Sequence, residues 1–545
     1  FLPGQFVYAG NGKAYVTIVN PIRGRSIWKN SDLLKPQIQM IVDKKLPATW
    51  LIQYEVLHDE EILNLLKNLP KTQEIGLFLE VDETLATQSL VPYLLGEGDW
   101  ARADKVLLSG YLPSERKRMI DSAFDTFKTK FGFYPESVGS WYIDTLSLDY
   151  IVEKFGVSAI LDVADQFQTD GYGVWGKPWG TPYYPSRFNS LIPAQGKEDK
   201  VNAVKIQWAQ RDPVSGFGKT TFDSTYSVQA NDYIGHHQLT SFYFQMLARS
   251  YLLSQNPLTQ LTIGLEGGQE GAFYTDELKR QIEILEKFQN EKNITFVTMK
   301  DFAHYFTTAY PHSSPNFFIE GKDINSSMHR AFWFTTPFYR IGLLQDGGDL
   351  KLRDFRIYSN QLLFSDIGKR DGNKTLKRII PSCITETAEE NMRKIITDVK
   401  RIDIARNGDE IEIKGVKKEG NEETILLQSD KVLVNNKVFL NAKEKESFQQ
   451  TLRTIFFQSV ISYKVNAPKT APAGFRFANI NGINYFGFMT EPDQLIGVQM
   501  QPFRIGTFKF PFQVLVRFKT LPQLDIGSLL SGYFIREMNQ CTINL

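Results

Sequence analysis

The chain has 545 residues, 42% of them hydrophobic, with 40 Phe, 23 Tyr and 8 Trp, which is ample for sizeable cores in two or three domains. The 62 Lys and Arg nearly cancel the 61 Asp and Glu, and the net charge of +1 disfavours a strong binder of nucleic acid or of an anionic membrane. Two cysteines, Cys383 and Cys541, make neither a disulfide framework nor a zinc pattern, and no apolar run reaches the roughly 18 residues of a spanning helix.

In chain order, YVTIVNPI (15–22) reads as a strand, and a helical run with Leu34, Ile38 and Ile41 follows the capping residues Ser31 and Asp32. ATWLIQYEV (48–56) and EIGLFLEV (74–81) are the next strands, separated by the helix DEEILNLLKNLP, which Pro70 ends. SERKRMIDSAFDTFKTKFG starts at a Ser cap, sets Ile120, Phe124, Phe127 and Phe131 on one face and stops at Gly132. SVGSWYI is the fourth strand; Leu148, Ile151, Val152 and Phe155 follow at helical spacing up to Gly156, and VSAILD is the fifth. Further strands read at VNAVKIQW (201–208), LTIGL (261–265) and ITFVTM (294–299), and further helices at 237–254 and 275–289. Alternation this regular predicts parallel βαβ units, and seven or eight of them in about 290 residues favour a barrel over a doubly wound sheet.

Two stretches break the rhythm. Residues 163–200, DQFQTDGYGVWGKPWGTPYYPSRFNSLIPAQ at their centre, form a loop dense in Gly, Pro and aromatics, and a second excursion covers 209–236. From about 313 the pattern turns to hairpins: DEIEIKGVKKEGNEETILLQS, KVLVNNKVFL and FRFANINGINYFGFM, the last around Asn481-Gly482. FKFPFQVLVRF is another β run, and one helix is expected over 387–400. The expected architecture is α/β: a (β/α) barrel over 1–310 followed by an all-β, sandwich-like domain over 311–545.

Reactive groups of a parallel βα barrel lie at the carboxyl ends of its strands. Polar residues there include Arg23, Gln53, Glu80, Asp82, Asp144, Asp165, Asp212, Glu266 and Glu270, with Trp141 beside them. Asp144, directly between a strand and its helix, suits either a reactive carboxylate or a helix cap. Glu266 lies in IGLEGGQEG, whose glycines either bring backbone close to something or serve plain turns. Asp165 and Asp212 are loop organisers or substrate contacts, and Arg23 bridges carboxylates or meets substrate. Trp175, Trp179, Tyr183 and Tyr184 offer flat rings on which the C–H face of a pyranose stacks, or else they pack the loop onto the barrel. None of the six histidines makes a spaced pair, so no dedicated transition-metal site and no cofactor is expected. Neither a G-x-S-x-G elbow nor a GxxxxGK[ST] loop occurs at a strand end.

ATWLIQ from Ala48, QEIGLFLEV from Gln73 and VTMKDFAHYF from Val297 resemble the second strand, third strand and closing strand and helix of the glycoside hydrolase/deacetylase superfamily. The resemblance covers about residues 12–308 and implies an irregular seven-stranded (β/α) barrel. Polysaccharide deacetylases of this superfamily hold a metal with an Asp after the first strand and two His after the third. Here Asn20 stands in the acidic region, and LFLEVD contains no His. Family-57 glycoside hydrolases, retaining enzymes on α-glucan-like substrates, carry a nucleophile in W-x-x-E ending the fourth strand and an acid/base Asp near the end of the seventh. Trp141-Tyr-Ile-Asp144 is similar, with Asp for Glu, and Glu266 fills the second place.

The expectation is therefore a glycoside hydrolase or transglycosylase acting on an oligo- or polysaccharide. Asp144 would be its nucleophile and Glu266 its general acid/base, the latter raised in pKa by partial burial. In a retaining mechanism the two carboxyls stand about 5–5.5 Å apart, and in an inverting one roughly 6.5–9.5 Å. Trp141 and the aromatics from Trp175 to Tyr184 would form the sugar platform, Arg23 and Gln53 would bond hydroxyls, and Glu80, Asp165, Asp212 and Glu270 would complete the substrate site. The alternatives are a non-catalytic glycan-binding or cell-surface scaffold with a degenerate site, and a deacetylase whose metal is held by Glu74, Glu80 and Asp82. A start at Phe1 without methionine is expected of a fragment or processed product, with any signal or anchor outside it and an extracytoplasmic or surface-associated location.

Overall fold

The structure is a computed structural model. It describes residues 12–25, 32, 34–93, 101–323, 329–358, 370–380 and 382–442, and short backbone strands between 475 and 509. Strands β1 (Lys13–Ile22), β2 (Ala48–Ile52), β3 (Gln73–Phe78), β4 (Ser137–Gly139) and β5 (Ala159–Val163) pair in parallel in chain order. A hairpin of β6 (Gln166–Thr169) and β7 (Tyr172–Trp175) is inserted before β8 (Val204–Trp208), which pairs with β5. β9 (Leu258–Ile263) returns to β1, from Lys13↔Leu258 to Ile18↔Ile263, and β10 (Ile294–Val297) pairs with the first half of β1. The result is an irregular parallel barrel, β9-β1-β2-β3-β4-β5-β8, with β10 wedged against β1. The seam between β8 and β9 is bridged by Gln210, which donates to Gln260 Oε1 (3.2 Å) and accepts from the Thr262 amide (3.1 Å). Both faces of such a sheet are covered, so its strands read as apolar runs; all of β1 after Lys13 is buried.

The covering helices are α1 (Leu34–Asp43), α2 (Glu60–Lys67), α3 (Glu83–Gln88), α4 (Ala103–Val106), α5 (Pro113–Phe131), α6 (Thr145–Phe155), α7 (Thr221–Ser224), α8 (Ser241–Leu252), α9 (Gln269–Phe288) and α10 (Met299–Ala309). Helix α5 buries Met119, Ile120, Phe124 and Phe127, and Phe124 stacks on Phe155 of α6 at 4.1 Å. Both helices end where glycine takes the left-handed conformation, Gly132 at φ +87° and Gly156 at φ +71°.

Beyond the barrel, β11 (Phe317–Lys322), β12 (His329–Thr335), β13 (Tyr339–Asp346) and β14 (Asp349–Ile357) form an antiparallel meander. β15 (Leu376–Ile379) leaves it to pair in parallel with β7, and β16 (Ile384–Thr385) and β17 (Arg393–Ile396) return to β14. A second antiparallel sheet follows: β18 (Val399–Asn407), β19 (Glu410–Lys417), β20 (Glu422–Leu427), β21 (Lys431–Val434) and β22 (Lys437–Asn441). One face of the meander, with Phe332, Phe334 and Ile341, shares a core with Ile402, Ile411 and Ile425 of this sheet, a sandwich-like packing. Its other face, with Ile319, Ala331 and Trp333, belongs to the barrel's core. The meander is thus a middle layer.

The helix expected over 387–400 is not formed. A single 3-10 turn, Glu389–Asn391, precedes β17, and Asp398 turns the chain into β18 at φ +58°. Pairing of Ile396 with Leu350 buries it completely, and this tertiary gain overrides local helical spacing. The hairpin around Asn481-Gly482 is present as backbone strands Phe475–Ile480 and Ile483–Glu491, with Ile480 opposite Ile483, while the two turn residues lie outside the described residues. So do Cys541 and FKFPFQVLVRF after Lys509. Among the described residues no helix is long and apolar enough to cross a membrane.

Candidate active site

A cavity of about 520 Å³ opens at the carboxyl ends of the strands, with Arg23 after β1, Trp141 after β4, Trp208 ending β8 and Glu266 after β9 on its wall. Trp141 and Trp208 face each other with ring centroids 6.2 Å apart. Arg23 is buried and fixed: Nε and Nη2 donate to the two oxygens of Glu80 at 2.6 and 2.8 Å, and Nη1 donates to Glu266. Its guanidinium lies 5.6 Å from the ring centroids of both Phe78 and Trp141.

The glycines around Glu266 serve close backbone approach. Gly264 has φ +148°, and a Cβ there would lie 1.8 Å from the Val19 carbonyl of β1. The Gly267 amide donates to the Pro21 carbonyl at 2.7 Å. This pins the loop to β1 and delivers Glu266 to Arg23. Glu270, in the first turn of α9, accepts from the Glu266 amide and from Gln229 Nε2, each at 2.8 Å. Burial raises both carboxyls; contact with Arg23 draws Glu266 back toward its charged form, whereas the charge of Glu266 drives Glu270 well above the usual carboxylate range.

The two insertions supply the rest of the wall. A π-helical turn, Asn231–His236, carries Asp232, whose Oδ2 accepts from Ser227 Oγ at 2.6 Å and meets Arg211 at 3.4 Å. Burial outweighs these partners and pushes Asp232 up to about 6. The β6–β7 hairpin turns through Asp170 (φ +52°) and Gly171 (φ +77°), with Thr169 opposite Tyr172. Asp170 stands exposed at its tip, while Tyr172 is buried at the cavity wall. The Asp-Gly pair in QTDGYG was a readable hairpin signal.

Of the expected site residues, Arg23, Trp141, Glu266 and Glu270 converge on the cavity. Asp144 does not line it. Its Oδ1 accepts from the Ser147 amide (3.0 Å), Oδ2 accepts from Ser147 Oγ (2.6 Å), and Arg116 Nη1 pairs with Oδ1 at 2.9 Å, so this fully buried side chain is the cap of α6. Gln53 accepts from the Gly24 amide at 3.0 Å, and Glu80 stands behind Arg23. Asp165 pairs with Arg340 at 2.8 Å and accepts from the Gly176 and Lys177 amides, and Asp212 accepts from those of Val214 and Ser215. The aromatic platform is also absent. Trp175 stacks on Phe217 (4.8 Å) and Trp179 on Trp333 (4.1 Å), while Tyr183 and Tyr184 bond the carbonyls of Ser190 and Tyr310. These rings fill the space between barrel and meander, and a ring covered on both sides offers no face to a sugar.

A family described as a domain of unknown function with solved structure (DUF3863) matches residues 110–329. No curated protein matches the chain. A Parabacteroides distasonis structure described as a candidate glycoside hydrolase/deacetylase superposes with a TM-score of 0.53 at 17% identity, over 70% of this chain and 94% of that one. The fold is that of the glycoside hydrolase/deacetylase barrels. A candidate polysaccharide deacetylase from Mycobacterium smegmatis (TM-score 0.35, 10% identity, 55% of this chain and 92% of that one) and the alpha-amylase AmyC from Thermotoga maritima (0.28, 10%, 54% and 74%) are similar too slightly to weigh.

Within a glycoside hydrolase/deacetylase barrel the deacetylase metal would sit between the first and third strands, and the residues here do not fit it. Arg23, a permanent cation, takes the place between those strand ends. Asn20 is bonded to Gln37 (2.6 Å), Glu74 to Thr49 (2.8 Å) and Ser137 (2.6 Å), and Asp82 caps α3 through the Leu85 amide (2.7 Å). Glu74, Glu80 and Asp82 are thus engaged separately. The grouping among the described residues with metal-ligand spacing, His329, Asp346 and Glu389, belongs to the C-terminal sheets and does not line the cavity.

Proposed function

We propose that the chain is a carbohydrate-active protein, a glycoside hydrolase or transglycosylase, working through the carboxyls of the barrel cavity. The observation that carries this is the Glu266–Glu270 pair, two acids on one loop and helix start of which only the first touches a cation. Burial raises both, Arg23 draws Glu266 back toward its carboxylate form and the charge of Glu266 raises Glu270 further, so Glu266 gives up its proton before Glu270 does. Glycosidic bond cleavage asks for this division: one carboxyl to protonate the leaving oxygen and one carboxylate to meet the positive anomeric carbon. Glu270 takes the first role and Glu266 the second, in place of the expected Asp144 and Glu266. Trp141 and Trp208 contribute apolar surface to the wall, and the cavity has the volume of an ordinary ligand site.

Glu266→Gln and Glu270→Gln are each expected to lower glycan turnover by about 100-fold or more. Unchanged turnover in both would sink the assignment, and acetate release from acetylated glycans without chain cleavage would move the reaction to deacetylation. The commitment of both Glu80 and Glu266 to Arg23 supports a second reading, a non-catalytic glycan binder. Calorimetric glycan binding with no turnover by the unaltered protein separates the two.

A further inference from the structure

We infer that the cavity is built for a sugar carrying a positive charge, an amino sugar whose nitrogen is free and protonated, and this rests on the carbohydrate reading above. Four acidic side chains, Asp170, Asp232, Glu266 and Glu270, line the cavity against two arginines, Arg23 and Arg211. Neither arginine has charge to spare. Arg23 already serves Glu80 and Glu266, and Arg211 donates to Gln166 Oε1 (2.7 Å) and the Asp165 carbonyl (3.2 Å) while meeting Asp232 (3.4 Å). His236 is the other basic group on the wall, and it is exposed at the rim.

An acidic sugar would meet like charge here, and a neutral one would leave the acidic excess unrelieved. An ammonium on the ligand lets neighbouring carboxyls ionise together, and the aromatic rings beside them favour a cation in the same space. The carboxylate oxygens of these four residues do not gather on one point, since the metal-spaced grouping among the described residues lies elsewhere. A bare metal ion therefore finds no ligand set, and acid groups spread along a wall suit a charge carried on a larger ring. One polar group points to such a ring independently of charge: Trp141, 3% exposed at the same wall, leaves its buried indole N–H unpartnered. Leaving buried polar groups unsatisfied is costly unless a ligand completes them.

The test is calorimetric binding of three oligomers of matched length, of glucosamine, N-acetylglucosamine and galacturonic acid, to the full chain at neutral pH and low salt. The glucosamine oligomer is expected to bind at least about tenfold more tightly than the N-acetyl form, with the uronate weakest. Asp170→Asn and Asp232→Asn should shrink that ratio, and so should added salt. Equal affinities, or a preference for the uronate, with glycan still bound, would overturn the inference and leave the carbohydrate reading standing. No binding of any of the three, nor of a wide glycan panel, would overturn both.

Discussion

At Asp144 both carboxylate oxygens are used, one by Arg116 and the Ser147 amide and the other by Ser147 Oγ, and nothing is left for a substrate. Asn in its place can still cap the helix but removes the charge that Arg116 meets at 2.9 Å in the buried pair. Asp144→Asn is expected to destabilise the fold by about 3 kcal/mol. Urea denaturation should show a lower midpoint with an unchanged slope, and glycan turnover per folded molecule should stay as before. Asp232 behaves oppositely. It is held near 6 when folded, against 3.8 ordinarily, so the folded state grips its proton more tightly than the unfolded chain does. That advantage is complete below 3.8 and disappears as pH climbs through 6, a loss of up to about 3 kcal/mol. Arg211, Ser227, His236 and Glu266 face this carboxyl, and Arg211 stays charged throughout, so removing its partner adds an offset with no slope. Asp232→Asn should therefore gain stability relative to the unaltered protein between pH 4 and 7; a flat difference over that range would show that the carboxyl is not held up. At this scale the strand-end rule was enough to gather Arg23, Trp141, Glu266 and Glu270, which line one cavity. It could not separate Asp144 from them, because the partner that decides its role is 28 residues away on α5.

The barrel strands and their helices were legible because period and caps agreed with the tertiary fold along most of residues 12–310. The inserted hairpin was not, since its aromatic density drew attention away from the Asp-Gly turn that shapes it. That turn ties geometry to charge at one place, and the two can be separated. Asp170→Gly keeps a residue at ease with φ +52° while removing the carboxylate; stability should hold to within about 0.5 kcal/mol while amino-sugar affinity falls. Gly171→Ala does the reverse. Its Cβ would stand 1.8 Å from the Ala101 carbonyl at φ +77°, so a loss of about 1–3 kcal/mol is expected as the tip moves. Denaturation midpoints and binding isotherms on the two variants check both halves, and equal effects of the two changes would mean that Asp170 acts only through the backbone. The 387–400 segment failed for the complementary reason. Its helical spacing was real, but a strand partner from β14 was available only in three dimensions.

A boundary at residue 310, natural in the sequence because the periodicity changes there, is crossed repeatedly in the molecule. Arg340 of β13 reaches Asp165 at 2.8 Å, Trp333 of β12 lies parallel to Trp179 at 4.1 Å, and β15 runs beside β7 with Leu376 opposite Tyr172. The Leu376 amide donates to the Gly171 carbonyl at 2.9 Å, which fixes the very turn that carries Asp170 over the cavity. The second half therefore does more than cover the barrel: it holds one wall of the site. Burial of the Trp175 and Trp179 rings depends on the same contacts, and the buried Asp165 would lose its ion pair with Arg340. A chain ending at 310 is accordingly expected to show no cooperative thermal transition and to bind a hydrophobic dye. A chain ending at 442, which keeps the meander and the second sheet, should unfold in one transition and bind glycan as the full protein does. Cooperative unfolding together with glycan binding by the 310 form would mean that the barrel carries its site unaided, and that the strand from Leu376 to Ile379 is an ornament rather than a brace.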